Sequence, residues 1–329
     1  MMDAGALPDP VATEAALAAA GAELVDRLGV AVRRGEPLGP RCTYRVGGAA
    51  AIWVEPTSIA DLEVVAAVVA SEDVPTLAVG KGSNLLVADT GFPGVVVHLG
   101  DAFESVAIDH EGAVARIGGA AMLPVAARKT AAAGLTGFEW AVGVPGSVGG
   151  GVRMNAGGHG SDMDASVQSA TVFDLLTGSV TVWSPADLDF AYRCSAIGSH
   201  HLVLDTEIQL ARGDPEKSSA EISEIVRWRR ANQPGGQNAG SVFTNPPGDS
   251  AGRLIDVTGL KGFRIGTAEV SPKHANFIQA DPDGSAADVH AVITEVRRRV
   301  YDEHGIELHC ENLLIGFEPL GPLQEGTVN

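Results

Sequence analysis

Two glycine-rich stretches set the chemistry this chain can do. Val79-Gly-Lys-Gly-Ser-Asn-Leu-Leu-Val87 has apolar ends, and its glycines let backbone N–H groups crowd around an anion. Ser83 and Asn84 add side-chain donors there, although an ordinary tight turn fits that stretch equally well when it is taken alone. It is not a Walker loop, because no Gly-Lys-Ser/Thr opens a helix, and not a Rossmann turn, because a strand follows where a helix should start. The second stretch is Gly143-Val-Pro-Gly-Ser-Val-Gly-Gly-Gly-Val152, followed by Met154-Asn-Ala-Gly-Gly-His-Gly160. Glycine this dense is expected to form neither a stable helix nor a central strand unless the backbone must approach something closely. Val144, Val148 and Val152 imply burial and argue against a merely flexible loop. A bulky flat ligand carrying a pyrophosphate, such as FAD, accounts for both stretches at once.

Other residue types narrow the field. Cys42, Cys194 and Cys310 are far apart, without a CxxC, so neither a disulfide framework nor a cysteine metal site is expected. His159, His274 and His309 lie on unrelated segments without ligand spacing, and no metal is expected. The formal net charge of −18 opposes nucleic acid and anionic membrane surfaces, so an anionic ligand needs a locally basic site. The start, Met1-Met2-Asp3-Ala4-Gly5, lacks a basic signal-peptide region, and no run approaches the ~20 apolar residues of a membrane span. A cytoplasmic monomer is expected.

The elements that must position these stretches follow from pattern. An Ala-rich helix is expected over 14–28, then a Gly/Pro connection through Gly35–Pro40. Strands are expected at 51–55, 76–79, 94–99 and 113–117, with helices at 59–70 and 124–133. Alternation at 169–175, 179–183 and 201–211 marks a strand-rich part. After Gly213-Asp-Pro-Glu-Lys come a helix at 218–230, two Gly/Pro-rich loops and a last helix. That last helix aligns Val289, Val292, Ile293, Val296 and Val300, with Ser285 and Asp288 as a capping box and Arg297–Arg299 on its solvated side. At 329 residues the chain divides into a connection (1–40), a cofactor part (41–212), a carboxy-terminal part (213–320) and a tail (321–329).

At this point the motifs resemble a known family. Thr43-Tyr-Arg-Val-Gly-Gly48, Gly80-Lys-Gly-Ser-Asn-Leu-Leu86, Gly143–Gly150 and Met154-Asn-Ala-Gly157 are similar to UDP-N-acetylenolpyruvoylglucosamine reductases. So are Tyr192-Arg-Cys-Ser195, Gly240-Ser-Val-Phe-Thr-Asn-Pro246, Ala251-Gly-Arg-Leu-Ile-Asp256 and Lys273-His-Ala-Asn-Phe277, and the match is collinear from about Arg41 to about Gly316. The resemblance implies an α+β fold: a two-part FAD-binding domain of the vanillyl-alcohol-oxidase type plus a smaller α+β substrate-binding domain. It also implies noncovalent FAD, NADPH as electron donor, and reduction of an enolpyruvyl ether on a UDP-sugar in peptidoglycan precursor synthesis.

Residue roles come from the same resemblance. Ser241 matches the proton donor, Arg193 the arginine holding the enolpyruvyl carboxylate, and Glu311 the second charge-stabilising group. Arg45, Gly80, Lys81, Gly82, Ser83, Asn84, Leu85, Gly146, Ser147, Gly149, Gly150, Asn155, Ala156 and Gly157 match cofactor contacts. Tyr192, Asn245 and His274 match substrate contacts. Asn232 and Thr244 stand where many relatives carry a basic residue, so the diphosphate grip shifts onto Asn245, Arg229 or Arg230. A different oxidase of the same fold and a catalytically silent nucleotide-sugar binder remain the alternatives.

Overall fold

The computed structural model describes residues 13–323, so the start of the expected amino-terminal connection and most of the expected tail lie outside the described residues. The helix Glu14–Leu28 begins where Thr13 Oγ1 accepts from Ala16 N at 3.1 Å. A four-stranded sheet follows in the order 32–37, 49–54, 92–97 and 76–78, its first pair antiparallel and the others parallel. Parallel strands are covered on both faces, which is why Val95, Val96 and Val97 of strand 92–97 form an unbroken, fully buried apolar run. Val95 and Val97 pack with Val65 and Val68 of the helix Ile59–Glu72, whereas Phe92 and Val96 pack with Trp53 and Leu77 on the other side. Each fully buried valine of this kind contributes about 1.5–3 kcal/mol.

The strand-rich part is an antiparallel five-stranded sheet in the order 179–183, 167–174, 201–209, 114–118 and 106–109. The helices Leu123–Ala132 and Pro215–Asn232 close its core, the latter through Ile222 and Ile225. That second helix follows the expected division at 213, yet its apolar side packs on the part that precedes it. The glycine run also departs from expectation. Val148–Arg153 is a short helix capped by Ser147, and Gly149 N donates to Gly119 O at 2.8 Å. The close approach to a neighbouring backbone is what the glycine spacing serves.

The carboxy-terminal part is a three-stranded sheet, 264–265, 268–270 and 278–280, under the helix Ala286–His304. Ala251–Val257, read from sequence as loop, is a helix capped by Ser250. Val289, Val292, Ile293, Val296 and Val300 are buried as their spacing requires. Two expectations fail on this last helix. The capping box is not reciprocal: Asp288 Oδ2 accepts from Thr267 N at 2.8 Å and Thr267 Oγ1 at 2.7 Å, so a tertiary partner displaces the local one. Thr267 Oγ1 takes the missing half of the box by accepting from Ser285 N at 2.9 Å, and Asp89, from the loop after residues 85–87, caps the first turn further by accepting from Ala286 N and Ala287 N at 3.0 Å each. Arg297 is 4% exposed, not solvated. It lies four residues after Ile293 and three before Val300, on the buried face. Leu308 O at 3.0 Å and Glu307 Oε1 at 2.8 Å satisfy its guanidinium there. No described helix is long and apolar enough to cross a membrane.

Candidate active site

The glycine loops meet at a cavity of about 760 Å³ where the three parts converge. The loop after the strand Thr76–Ala78 supplies Gly80, Lys81, Gly82, Ser83, Asn84 and Leu85 to its wall. The run before and within Val148–Arg153 supplies Gly146, Ser147 and Gly150, and Ala156 and Gly157 follow. The two loops interlock. Ser83 Oγ donates to Pro145 O at 3.1 Å, and a side chain at Gly80 would collide with Ser147 Oγ. At Gly146, with φ +117°, an added Cβ would lie 2.6 Å from Ser83 Oγ. Gly149 lines a second space of about 70 Å³ that shares Gly80, Lys81, Ser147, Gly150 and Arg153 with the first.

Ser241, Arg193 and Glu311 reach the same large cavity from three separate segments. Backbone pairing sets Ser241 beside Glu311: Glu311 N donates to Val242 O at 2.7 Å, and Thr244 N to His309 O at 3.0 Å. Arg193 sits in a tight turn with φ +61°, closed by bonds between Ala191 and Cys194. Its Nη2 donates to Gly157 O at 3.2 Å. Burial pushes the Glu311 carboxyl above its usual range, against the opposing pull of the Arg193 charge.

Five residues matched by motif lie off the cavity walls. Asn155 is buried, and holds the Arg193 turn by donating to Ala191 O at 3.0 Å while accepting from Asp164 N. Arg45 is exposed with φ +57°. Tyr192 is 60% exposed under the Arg193 guanidinium, with 5.3 Å from its ring to Arg193 Cζ. Asn245 Oδ1 accepts from Ala251 N at 3.1 Å, at the start of the helix Ala251–Val257. His274 Nδ1 accepts from Asn276 N at 3.2 Å, and burial lowers its pKa, with the Lys261 charge adding to the effect.

The cavity also has walls beyond the residues matched as catalytic, cofactor or substrate contacts. Arg153 borders both spaces, and among the described residues its guanidinium makes no hydrogen bond or ion pair. Burial lowers its pKa. Thr43 Oγ1 is buried without a hydrogen-bond partner on the same wall. Trp228, 50% exposed, stands edge-on to His159 at 5.2 Å, and Arg229 Nε donates to Gln233 Oε1 at 2.8 Å. An unpaired half-buried cation, an unsatisfied hydroxyl and two amide-rich loops, in a chain of net charge −18, suit a large anionic cofactor such as FAD. Asp174, His200 and His201 form a cluster with ligand atoms within 4.8 Å of one another. His201 Nδ1 there accepts from Gly198 N at 2.9 Å, the reverse of the outward donation expected of a metal-bound histidine.

Residues 50–184 match a family model described as an FAD binding domain, and residues 232–315 match one described as the C-terminal domain of UDP-N-acetylenolpyruvoylglucosamine reductase. A reductase of that name from Heliobacterium modesticaldum is 43% identical over 284 residues, covering 85% of this chain and 90% of its own. The chain belongs to this reductase family. A family member from Synechococcus is 41% identical, over 87% of this chain and 94% of its own. The solved family structure from Thermus caldophilus superposes with a TM-score of 0.75 at 34% identity, over 86% of this chain and 98% of that one. The fold is therefore an FAD-binding domain of the vanillyl-alcohol-oxidase type joined to the family's carboxy-terminal domain, and the cofactor is FAD.

Proposed function

We propose that the chain reduces the enolpyruvyl ether of UDP-N-acetyl-enolpyruvoylglucosamine to the lactyl ether of UDP-N-acetylmuramate, in peptidoglycan precursor synthesis. NADPH is the electron donor. The observation that carries this reading is that Ser241, Arg193 and Glu311 converge on one glycine-lined cavity. FAD, held by the Gly80–Leu85 and Gly146–Gly157 segments, would supply the hydride-transfer chemistry between NADPH and the terminal alkene carbon.

The remaining work falls to the chain's own groups. The planar guanidinium of Arg193 holds the substrate carboxylate, where negative charge builds as the double bond is consumed. Ser241 gives its hydroxyl proton to the adjacent carbon and recovers one from solvent. Glu311, whose buried setting favours the protonated carboxyl, donates a hydrogen bond to the same developing charge when it carries that proton. One hydride and one proton are added, and no bond to the nucleotide breaks. Arg229, on the cavity wall, is the better placed cation for the diphosphate, since Asn245 already serves the following helix. Residues 41–212 carry the cofactor and 213–320 the substrate. The acidic surface fits a cytoplasmic monomer without nucleic-acid partners.

The test is direct. Purified protein should be yellow, release intact FAD on acid denaturation, and turn over NADPH continuously, beyond one equivalent per flavin, only when the enolpyruvyl substrate is present. A colourless protein that cannot be reconstituted with FAD would end this reading.

A further inference from the structure

The residue next to Glu311 is a buried asparagine that joins three segments of the site. Asn312 is 4% exposed. Its Oδ1 accepts from the hydroxyl of Tyr44 at 3.2 Å, and Tyr44 is fully buried. Its Nδ2 lies 2.8 Å from Asn84 Oδ1, 3.2 Å from Ala239 O and 3.4 Å from Ser241 O. An amide has two hydrogens to give, so these three acceptors share them.

Each partner belongs to a different working part. Asn84 is in the first glycine loop and is tied to the Glu311 strand twice more. Its own Nδ2 donates to Glu311 O at 3.0 Å, and its backbone O accepts from Leu313 N at 2.9 Å. Strand 313–315 then runs parallel to strand 85–87, directly after the loop. Ala239 and Ser241 flank Gly240, whose φ of +76° makes the turn that presents the serine. Asn312 therefore grips both carbonyls of the Ser241 turn while touching the loop that faces the cofactor. Tyr44 fixes the amide from behind, with its proton retained because burial raises its pKa.

We propose that Asn312 is a positioning residue: it holds the Ser241 turn and the Glu311 strand in register with the Asn84 loop, so that the proton arrives on the carbon beside the one taking the hydride. The inference rests on the functional reading above. It gives Asn312 a task distinct from chemistry, since Glu311 and Leu313 line the cavity and the buried Asn312 between them does not. Reacting groups tolerate little displacement, and a misplacement of about 1 Å costs about 10²-fold in rate.

Asn312→Leu keeps the branched shape and removes all four contacts. The experiment follows flavin absorbance in the purified, FAD-loaded variant by stopped flow. NADPH is added first and the enolpyruvyl substrate second, in H2O and in D2O. FAD affinity and the NADPH-driven loss of absorbance should match wild type. The return of absorbance should slow by about 10²-fold, with a larger solvent deuterium isotope effect than wild type, because the misaligned proton transfer limits the step. Tyr44→Phe, which removes one bond into the amide, should shift the isotope effect in the same direction by less, and it decides the matter if Asn312→Leu does not fold. Wild-type return rates, or losses in both stages with an unchanged isotope effect, would overturn the proposal. A wild-type protein whose absorbance never returns with the enolpyruvyl substrate would instead refute the functional reading itself.

Discussion

Arg193 Nε stands 3.1 Å from Glu311 Oε1, yet that N–H is not aimed at the carboxylate and has no hydrogen-bond partner. The distance is that of an ion pair and the angle is not that of a hydrogen bond. A well-made bidentate pair would leave Arg193 occupied, and this contact is not one. As it stands, the guanidinium keeps a directed donor for a second carboxylate, and Glu311 loses Coulombic support for its own charge whenever Arg193 turns to a substrate.

The pH dependence follows from this pair. Burial raises the folded-state pKa of Glu311 above its unfolded value, so the folded state favours the protonated carboxyl. Its contribution to stability is full below the unfolded pKa and is lost as pH rises through the folded one. The substrate-reducing stage should slow over the same rise, as the hydrogen-bond donor disappears. Glu311→Gln should flatten that limb and flatten the dependence of thermal midpoint on pH. An unchanged alkaline limb in Glu311→Gln would assign it to another group.

Arg193→Lys tests the planar fork separately from the charge. Lysine keeps the cation but cannot offer two parallel donors to a carboxylate. The expected result is a raised KM together with a lowered kcat for the enolpyruvyl substrate, with NADPH-driven loss of flavin absorbance unaffected. Wild-type steady-state kinetics would remove Arg193 from the carboxylate site.

Arg153 should hold the anionic end of the cofactor. Its guanidinium is unpaired at the junction of the two spaces, and charge-assisted hydrogen bonds are worth about 1.5–3 kcal/mol each. Arg153→Met should therefore weaken FAD binding by about 10- to 100-fold and leave riboflavin, which carries no phosphate, unchanged. Equilibrium titration of the apoprotein with each ligand makes the comparison. Equal losses for both would mean that the arginine only shapes the cavity.

Stability should divide the Arg297–Arg299 run. Arg297→Met strands Leu308 O in the core, at about 1–3 kcal/mol for a buried group left unsatisfied. Arg298 pairs with Glu295 and Asp302 across an exposed helix surface, and Arg298→Met should change stability by less than about 1 kcal/mol. Urea midpoints of the two variants should differ clearly. Equal midpoints would contradict the burial assigned to Arg297.

Much of this was legible in the residues because local chemistry and global fold agree there. The helix Glu14–Leu28 and the strand Ser179–Trp183 fall where pattern alone sets them. The apolar stripe from Val289 to Val300 is buried as its period demands. What was not legible depends on partners distant in sequence. Asp288 fits a capping box, but Thr267 takes its carboxylate; Arg297 looks solvated until Leu308 and Glu307 fold over it. The short helix through Gly149 forms against propensity because Gly119 and Val203 press on it. In the site, Arg153 carried a signal that went unused: it is the cation inside the second glycine cluster of a strongly acidic chain. Trp228 carried none, since nothing in its neighbours says that it faces a cavity, whereas Thr43 opens a matched motif that does not mark its hydroxyl as facing one.

The central claim is that Ser241 supplies the proton. Ser241→Ala removes the hydroxyl, changes little volume and leaves the Gly240 turn intact. Stopped-flow absorbance of the FAD-loaded variant separates the stage that needs that proton from the one that does not. NADPH-driven loss of flavin absorbance should proceed at the wild-type rate. The return with the enolpyruvyl substrate should slow by about 10²- to 10⁴-fold, the usual worth of general acid catalysis. A slowed first stage, or a return at the wild-type rate, would contradict the claim and make Ser241 a turn residue.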